Sequence, residues 1–63
     1  MFSSNLKKLR LENKMTQKEL GQRLKVSDKT INHWENKYSE PDIETLRDLK
    51  NLFNVSYEEL LDD

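Results

Sequence analysis

The sequence has no cysteine, one histidine, one glycine and one proline in 63 residues. Without cysteine there is neither a disulfide framework nor a thiolate zinc site, and a single histidine rules out a histidine-rich metal centre. A chain this short sits near the lower size limit for folding without such staples, so compact packing around one core is the remaining route. Long apolar runs are missing too. Nothing reaches the length of a membrane span, and Phe2 to Asn5 is too short and too polar for the core of a signal peptide. A cytoplasmic protein without membrane contact is the expectation. There is no nucleophile–base constellation, no glycine-rich phosphate loop and no metal-ligand set, and His33 and Glu35 do not share a helical face. Neither catalysis nor a cofactor is expected.

What is present favours helices. Lys, Glu, Leu, Asn and Asp dominate the composition. A charged fraction of 37% would suit a disordered tail. However, leucines, isoleucines and aromatics recur at helical spacing, which a disordered tail does not need. The net charge of −1 conceals a polarity: residues 1–37 carry nine basic and four acidic side chains, residues 38–63 two basic and eight acidic. Such a distribution lets one face approach phosphates while the other is kept away.

Helix starts are well marked. Thr16-Gln17-Lys18-Glu19 and Ser56-Tyr57-Glu58-Glu59 are capping boxes, with Met15/Leu20 and Val55/Leu60 as hydrophobic staples. Ser27, stapled by Val26 and Ile31, and Asp42 after Pro41 are further N-caps, and Ser3 or Ser4 is expected to cap the first helix. The pattern predicts five helices near 4–13, 17–24, 28–35, 43–53 and 57–61, with no segment alternating as a strand would. The expected architecture is all-α, a compact five-helix bundle forming one domain over 1–63. At about 100° per residue, the inward side chains are Phe2, Leu6 and Leu9, then Leu20, Gly21 and Leu24, then Ile31 and Trp34. Ile43, Leu46, Leu49 and Phe53 form the fourth stripe, and Val26, Val55 and Leu60 complete the core.

The third helix is the unusual one. With Ile31 and Trp34 inward, its other side shows Lys29, Asn32, His33 and Asn36, with Asp28 at the edge. Amide, lysine and histidine side chains suit base edges in a DNA major groove; an ordinary solvated face is the other reading. Residues 25–27 join the second and third helices with Val26 buried, which forces the sharp angle of a helix-turn-helix. Gln17 lies in the first turn of the second helix, on its inward side, and needs a partner. With the free amides of that turn it is a candidate to hold a phosphate. Arg10 falls on the Leu6 face. A buried guanidinium without an acid is costly, and Glu35 is its best candidate partner.

The motifs Leu6-x-x-Leu9-Arg10, Thr16-Gln17-x-Glu19-Leu20 and Val26-Ser27-x-x-Thr30-Ile31-x-x-Trp34-Glu35-Asn36 follow one another in order. Pro41, Leu46-x-x-Leu49, Val55-Ser56 and Leu60-Leu61 complete the series. Together the series resembles the Cro/C1-type (XRE-family) helix-turn-helix domain of phage repressors and bacterial regulators, over almost the whole chain. The resemblance implies a lambda-repressor-like fold. It also implies sequence-specific binding of a double-stranded DNA operator by a transcriptional repressor, with helix 28–35 in the major groove. Gln17, preceded by Thr16, matches a phosphate-anchoring glutamine. Ser27, Asp28, Lys29, Thr30 and His33 match positions facing bases or nearby phosphates, with Asn32 beside them. Asn36, Lys37, Tyr38 and Ser39 match a loop that grips the DNA backbone, and Arg10 and Glu35 an internal ion pair. Lys29 is the expected base contact, to guanine, while Asp28 is read first as a partner of the helix dipole.

Several positions depart from the family pattern. Lys14, Lys25 and Lys37 replace small residues, at a cost of roughly 1 kcal/mol each if left-handed, unless Asn13 or Asn36 takes that conformation instead. Gly21 replaces an alanine, at about 0.8–1 kcal/mol, and allows closer contact with the third helix. Lys50 stands where a small apolar residue is usual, so its stem is expected to snorkel past the core. Such domains act as dimers on half-sites roughly 34 Å apart. A weak homodimer is therefore expected, especially on DNA, with Leu52, Tyr57 and Leu61 as the candidate surface. The alternative is a protein-interaction module such as an antitoxin, whose partner binding would lack the steep salt dependence of DNA binding. The chain reads either as a complete short regulator or as the DNA-binding part of a longer one.

Overall fold

Four of the five helices begin on a side-chain cap. Thr16 Oγ1 accepts from the Glu19 amide at 3.0 Å and Glu19 Oε1 from the Thr16 amide at 2.9 Å. Ser56 and Glu59 repeat the box at 3.0 and 3.1 Å. Ser27 Oγ accepts from the Thr30 amide at 3.1 Å, and Asp42 Oδ1 from the Thr45 amide at 2.9 Å. Each cap satisfies a donor that has no partner inside the helix. In the computed structural model, which describes residues 1–62, the helices are α1 (Phe2–Glu12), α2 (Gln17–Leu24), α3 (Asp28–Glu35), α4 (Ile43–Phe53) and α5 (Tyr57–Leu61). Asp63, the last residue of the expected domain, lies outside the described residues. No strand occurs among them, and none of their helices is long and apolar enough to cross a membrane.

The boundaries of α2 to α5 agree with the sequence reading; those of α1 do not. It begins on Met1 without a side-chain cap. Ser3 is buried, and Ser4 Oγ donates back to the Met1 carbonyl at 3.1 Å inside the first turn. The cause is Phe2, which packs against the core from within the helix. Phe2, Leu6 and Arg10 then lie four residues apart along one face.

Helix ends are equally regular. Lys14, Lys25, Lys37 and Asn54 are left-handed, with φ of 56°, 62°, 65° and 55°. Asn13 and Asn36, at φ −91° and −104°, are not. After each left-handed residue the next amide donates to the carbonyl five positions back. These bonds run from Met15 to Arg10 at 3.0 Å, Val26 to Gly21 at 2.9 Å, Tyr38 to His33 at 2.9 Å and Val55 to Lys50 at 3.1 Å. This is the closing bond of a Schellman cap. The lysines take the strain because the residue after each reversal must return to the helix. Met15, Val26 and Val55 do so by packing on the core.

Leu6, Leu20, Ile31, Leu49 and Leu60, one from each helix, are fully buried, and Trp34 nearly so. Ile43 is a correction to the expected core: it is 82% exposed. As the first residue of α4 it projects beyond the packed layer, and the apolar stripe begins one turn later at Leu46. Of the expected association surface, Leu52 is half-buried and packs partly against the core, while Tyr57 and Leu61 are exposed. Lys50 is half-buried, with Nζ 5.3 Å from the Tyr57 ring centroid, which is a cation–π contact. At Gly21 a Cβ would stand 2.7 Å from the Val26 carbonyl oxygen and 3.2 Å from the Ser27 carbonyl carbon. Glycine is what lets the turn into α3 close down on α2.

Candidate nucleic-acid interface

The sharp turn sets α3 across α2 with Ile31 and Trp34 against the core. That registers its other side outward. Asp28, Lys29 and Asn36 are exposed, and Thr30, Asn32 and His33 are half-buried. The Lys29 ammonium has no hydrogen-bond or ion-pair partner among the described residues. Asp28 is different. Its Oδ1 accepts from the Lys29 amide at 2.8 Å, so the carboxylate lies on the positive end of the helix. Ser27 Oγ, besides capping, shares a 2.9 Å hydrogen bond with Thr30 Oγ1.

The segment after α3 closes on the opposite, C-terminal end of the helix. Asn36 Nδ2 donates to the Asn32 carbonyl at 2.8 Å. Lys37 Nζ lies 3.7 Å from Met1 Sδ, which brings the chain's amino end to this loop. Tyr38 is exposed, with its ring centroid 5.6 Å from that of His33 and the two planes at 88°. Ser39 is exposed.

Behind this surface lies an ion-paired network. Arg10 Nε donates to Glu35 Oε2 at 2.7 Å and Nη2 to Oε1 at 3.1 Å. Nη1 donates to the Met15 carbonyl at 2.8 Å. Gln17 Nε2 adds a donation to Glu35 Oε1 at 3.2 Å. Only 2% of the Glu35 side chain is accessible, yet no buried side-chain polar atom among the described residues lacks a partner. The expected Arg10–Glu35 pair is therefore present, and the partner that Gln17 needed is Glu35. One carboxylate thus fixes α1, the start of α2 and the end of α3 to one another. Gln17 remains half-buried at the helix start, where first-turn amides have no intrahelical acceptor and suit an oxyanion.

Two carboxylates outside the network are acidified by their caps. Hydrogen bonding with Thr16, first to its backbone and then to its side chain, holds Glu19 below the usual glutamate value. Hydrogen bonds from Thr45, side chain first, do the same for Asp42. No group of three or more His, Asp or Glu among the described residues is placed to hold a metal ion.

Sequence reasoning missed two features of this surface: the His33–Tyr38 ring pair and the approach of Met1 to Lys37. The first had a signal, a five-residue spacing across a helix end. The second had none, because it joins residues 36 positions apart.

Comparison with known proteins bears on this geometry. Residues 6–60 match the family described as Helix-turn-helix. The HTH-type transcriptional regulator ImmR of Bacillus subtilis (strain 168) is 39% identical over 60 residues, which is 95% of this chain and 47% of that protein. The uncharacterized HTH-type transcriptional regulator YqaE of the same organism is 38% identical over 61 residues, 97% of this chain and 53% of that one. The HTH-type transcriptional activator BcrR of Enterococcus faecalis is 35% identical over 60 residues, 95% and 29%. This chain spans about half the length of these relatives, or less. Among solved structures, the P22 c2 repressor protein in complex with synthetic operator 9T superposes with a TM-score of 0.89 at 29% identity. That match covers 98% of this chain and 94% of the repressor chain.

Proposed function

This chain belongs to the Helix-turn-helix family, Cro/C1 type, and from that premise we propose that residues 1–63 form the operator-binding domain of a cytoplasmic transcriptional repressor. The observation that carries the proposal is the division of α3: Ile31 and Trp34 buried, Lys29 exposed and unpartnered, with His33 and Asn32 beside it. The helix enters the major groove and Lys29 donates to a guanine edge. Gln17 and the first-turn amides of α2, with Thr16 before them, hold one phosphate. The main chain of residues 36–39, with the side chains of Asn36, Lys37 and Ser39, holds the DNA backbone on the far side of α3. Ser27 and Thr30 keep the helix start in register, and Asp28 stays on its own helix end. One such domain touches few base pairs, so two copies bind adjacent half-sites as a weak dimer, roughly 34 Å apart.

Support comes from the solved repressor–operator complex with the same fold and from relatives named as transcriptional regulators. The test is selection of sites from a random duplex pool, followed by affinity against salt. A two-fold symmetric motif and a steep loss of affinity with salt are expected. Salt-insensitive binding to a protein, with no enriched motif, would favour the antitoxin-like reading. Lys29→Ala should relax preference at one base position by about 1–3 kcal/mol, while Gln17→Ala weakens all sequences alike. Uniform losses in both variants would remove Lys29 from base reading.

A further inference from the structure

Tyr38 contributes little to the core. It is 76% exposed, and its side chain makes one ring contact, to His33, and no hydrogen bond. The backbone builds that contact. Lys37, left-handed at φ 65°, donates its amide to the Trp34 carbonyl at 3.4 Å, and Tyr38 donates its amide to the His33 carbonyl at 2.9 Å. These two bonds form a Schellman cap, in which the residue after the left-handed one packs against the residue five positions back. The corresponding residues at the ends of α1, α2 and α4 are Met15, Val26 and Val55, and all three turn to the core. At the end of α3 the same device sets an aromatic ring against His33 instead.

A histidine on an open helix surface samples several rotamers and both ring orientations. An edge-to-face partner narrows that choice. We infer that Tyr38 is a positioning residue for His33. It fixes the imidazole before DNA arrives, so that a ring nitrogen is presented to a base edge, and operator preference at the base facing His33 depends on Tyr38. The inference rests on the proposed reading of α3.

Two measurements test it. Without DNA, the His33 ring-proton shifts in NMR spectra are expected to agree between wild type and Tyr38→Phe and to move in Tyr38→Ala. All variants should still unfold cooperatively, with Tyr38→Ala melting lower by several degrees at most, since a single exposed ring pair is lost. With a duplex enriched by the wild-type protein, Tyr38→Ala should lose about threefold to tenfold in affinity, the size of an aromatic pair's coupling. The loss should fall on the base facing His33. Tyr38→Phe should bind as wild type does, and His33→Ala combined with Tyr38→Ala no more weakly than His33→Ala alone. Additive losses, an unmoved His33 spectrum, or a Tyr38→Phe as weak as Tyr38→Ala would overturn the inference while leaving DNA reading by α3 intact. The last result would mean that the hydroxyl acts on DNA directly. A wild-type protein that enriches no duplex overturns the DNA-reading premise, and the inference with it.

Discussion

Replacing Arg10 with methionine removes three donated hydrogen bonds at once, two to Glu35 and one to the Met15 carbonyl. Glu35, whose side chain is 2% accessible, is left with the Gln17 amide at 3.2 Å alone. Removing one partner of a buried ion pair costs about 3–5 kcal/mol, because the other charge stays desolvated and unmatched. At about 0.05–0.15 kcal/mol per residue, a chain of this length has roughly 3–9 kcal/mol of stability in total. Arg10→Met should therefore lose at least about a third of that stability, with its melting temperature lowered by at least about 12 °C. Thermal and urea unfolding followed by circular dichroism would measure this. A double variant, Arg10→Met with Glu35→Leu, should recover most of the loss, since a packed apolar pair replaces a buried ionic one at little cost. Wild-type melting in the single variant, or a double variant no better than the single, would refute the buried-network account.

Lys25→Gly should raise the melting temperature by about 4–8 °C, because relief of a left-handed side chain is worth roughly 1 kcal/mol; a lower melting temperature would count against strain at φ 62°. Gly21→Ala should lower stability although alanine favours helix by about 0.8–1 kcal/mol, since its Cβ meets the Val26 carbonyl oxygen at 2.7 Å. Calorimetry showing a net gain would mean that the turn yields easily. Acid should destabilise the fold through Glu19 and Asp42, both held below their ordinary values by their caps. Groups lowered in the folded state stabilise it above the unfolded pKa of about 4, and that contribution is lost as pH falls through the folded values. Melting temperature against pH should flatten on the acid side in Glu19→Gln combined with Asp42→Asn.

The parts of the fold that were legible are those written in local chemistry. Thr16, Ser27, Asp42 and Ser56 announce their helices because a cap needs only residues within one turn. The Arg10–Glu35 pair was legible for a different reason: a guanidinium on an apolar face requires an acid, and few acids face inward. Ser3 and Ser4 misled, because cap chemistry at α1 is overridden by the burial of Phe2. Ile43 misled in the same way, since periodicity assigns a face but not how far the packed layer extends along a helix. Left-handed backbone at three lysines ran against intrinsic preference, and only the need to return Met15, Val26 and Tyr38 to their helices explains it. For the candidate interface, residue types on α3 were readable, while the Gln17–Glu35 bond and the Tyr38 ring position depend on tertiary placement.

A titration of isotope-labelled protein with its own enriched duplex, followed by amide chemical shifts, addresses the role of α3 without any substitution. Perturbations are expected to concentrate at Thr16 and Gln17, along α3 from Ser27 to His33, and through residues 36–39, with α5 nearly silent. Shifts concentrated on α4 and α5, with Lys29 and His33 unmoved, would contradict a reading helix at that place.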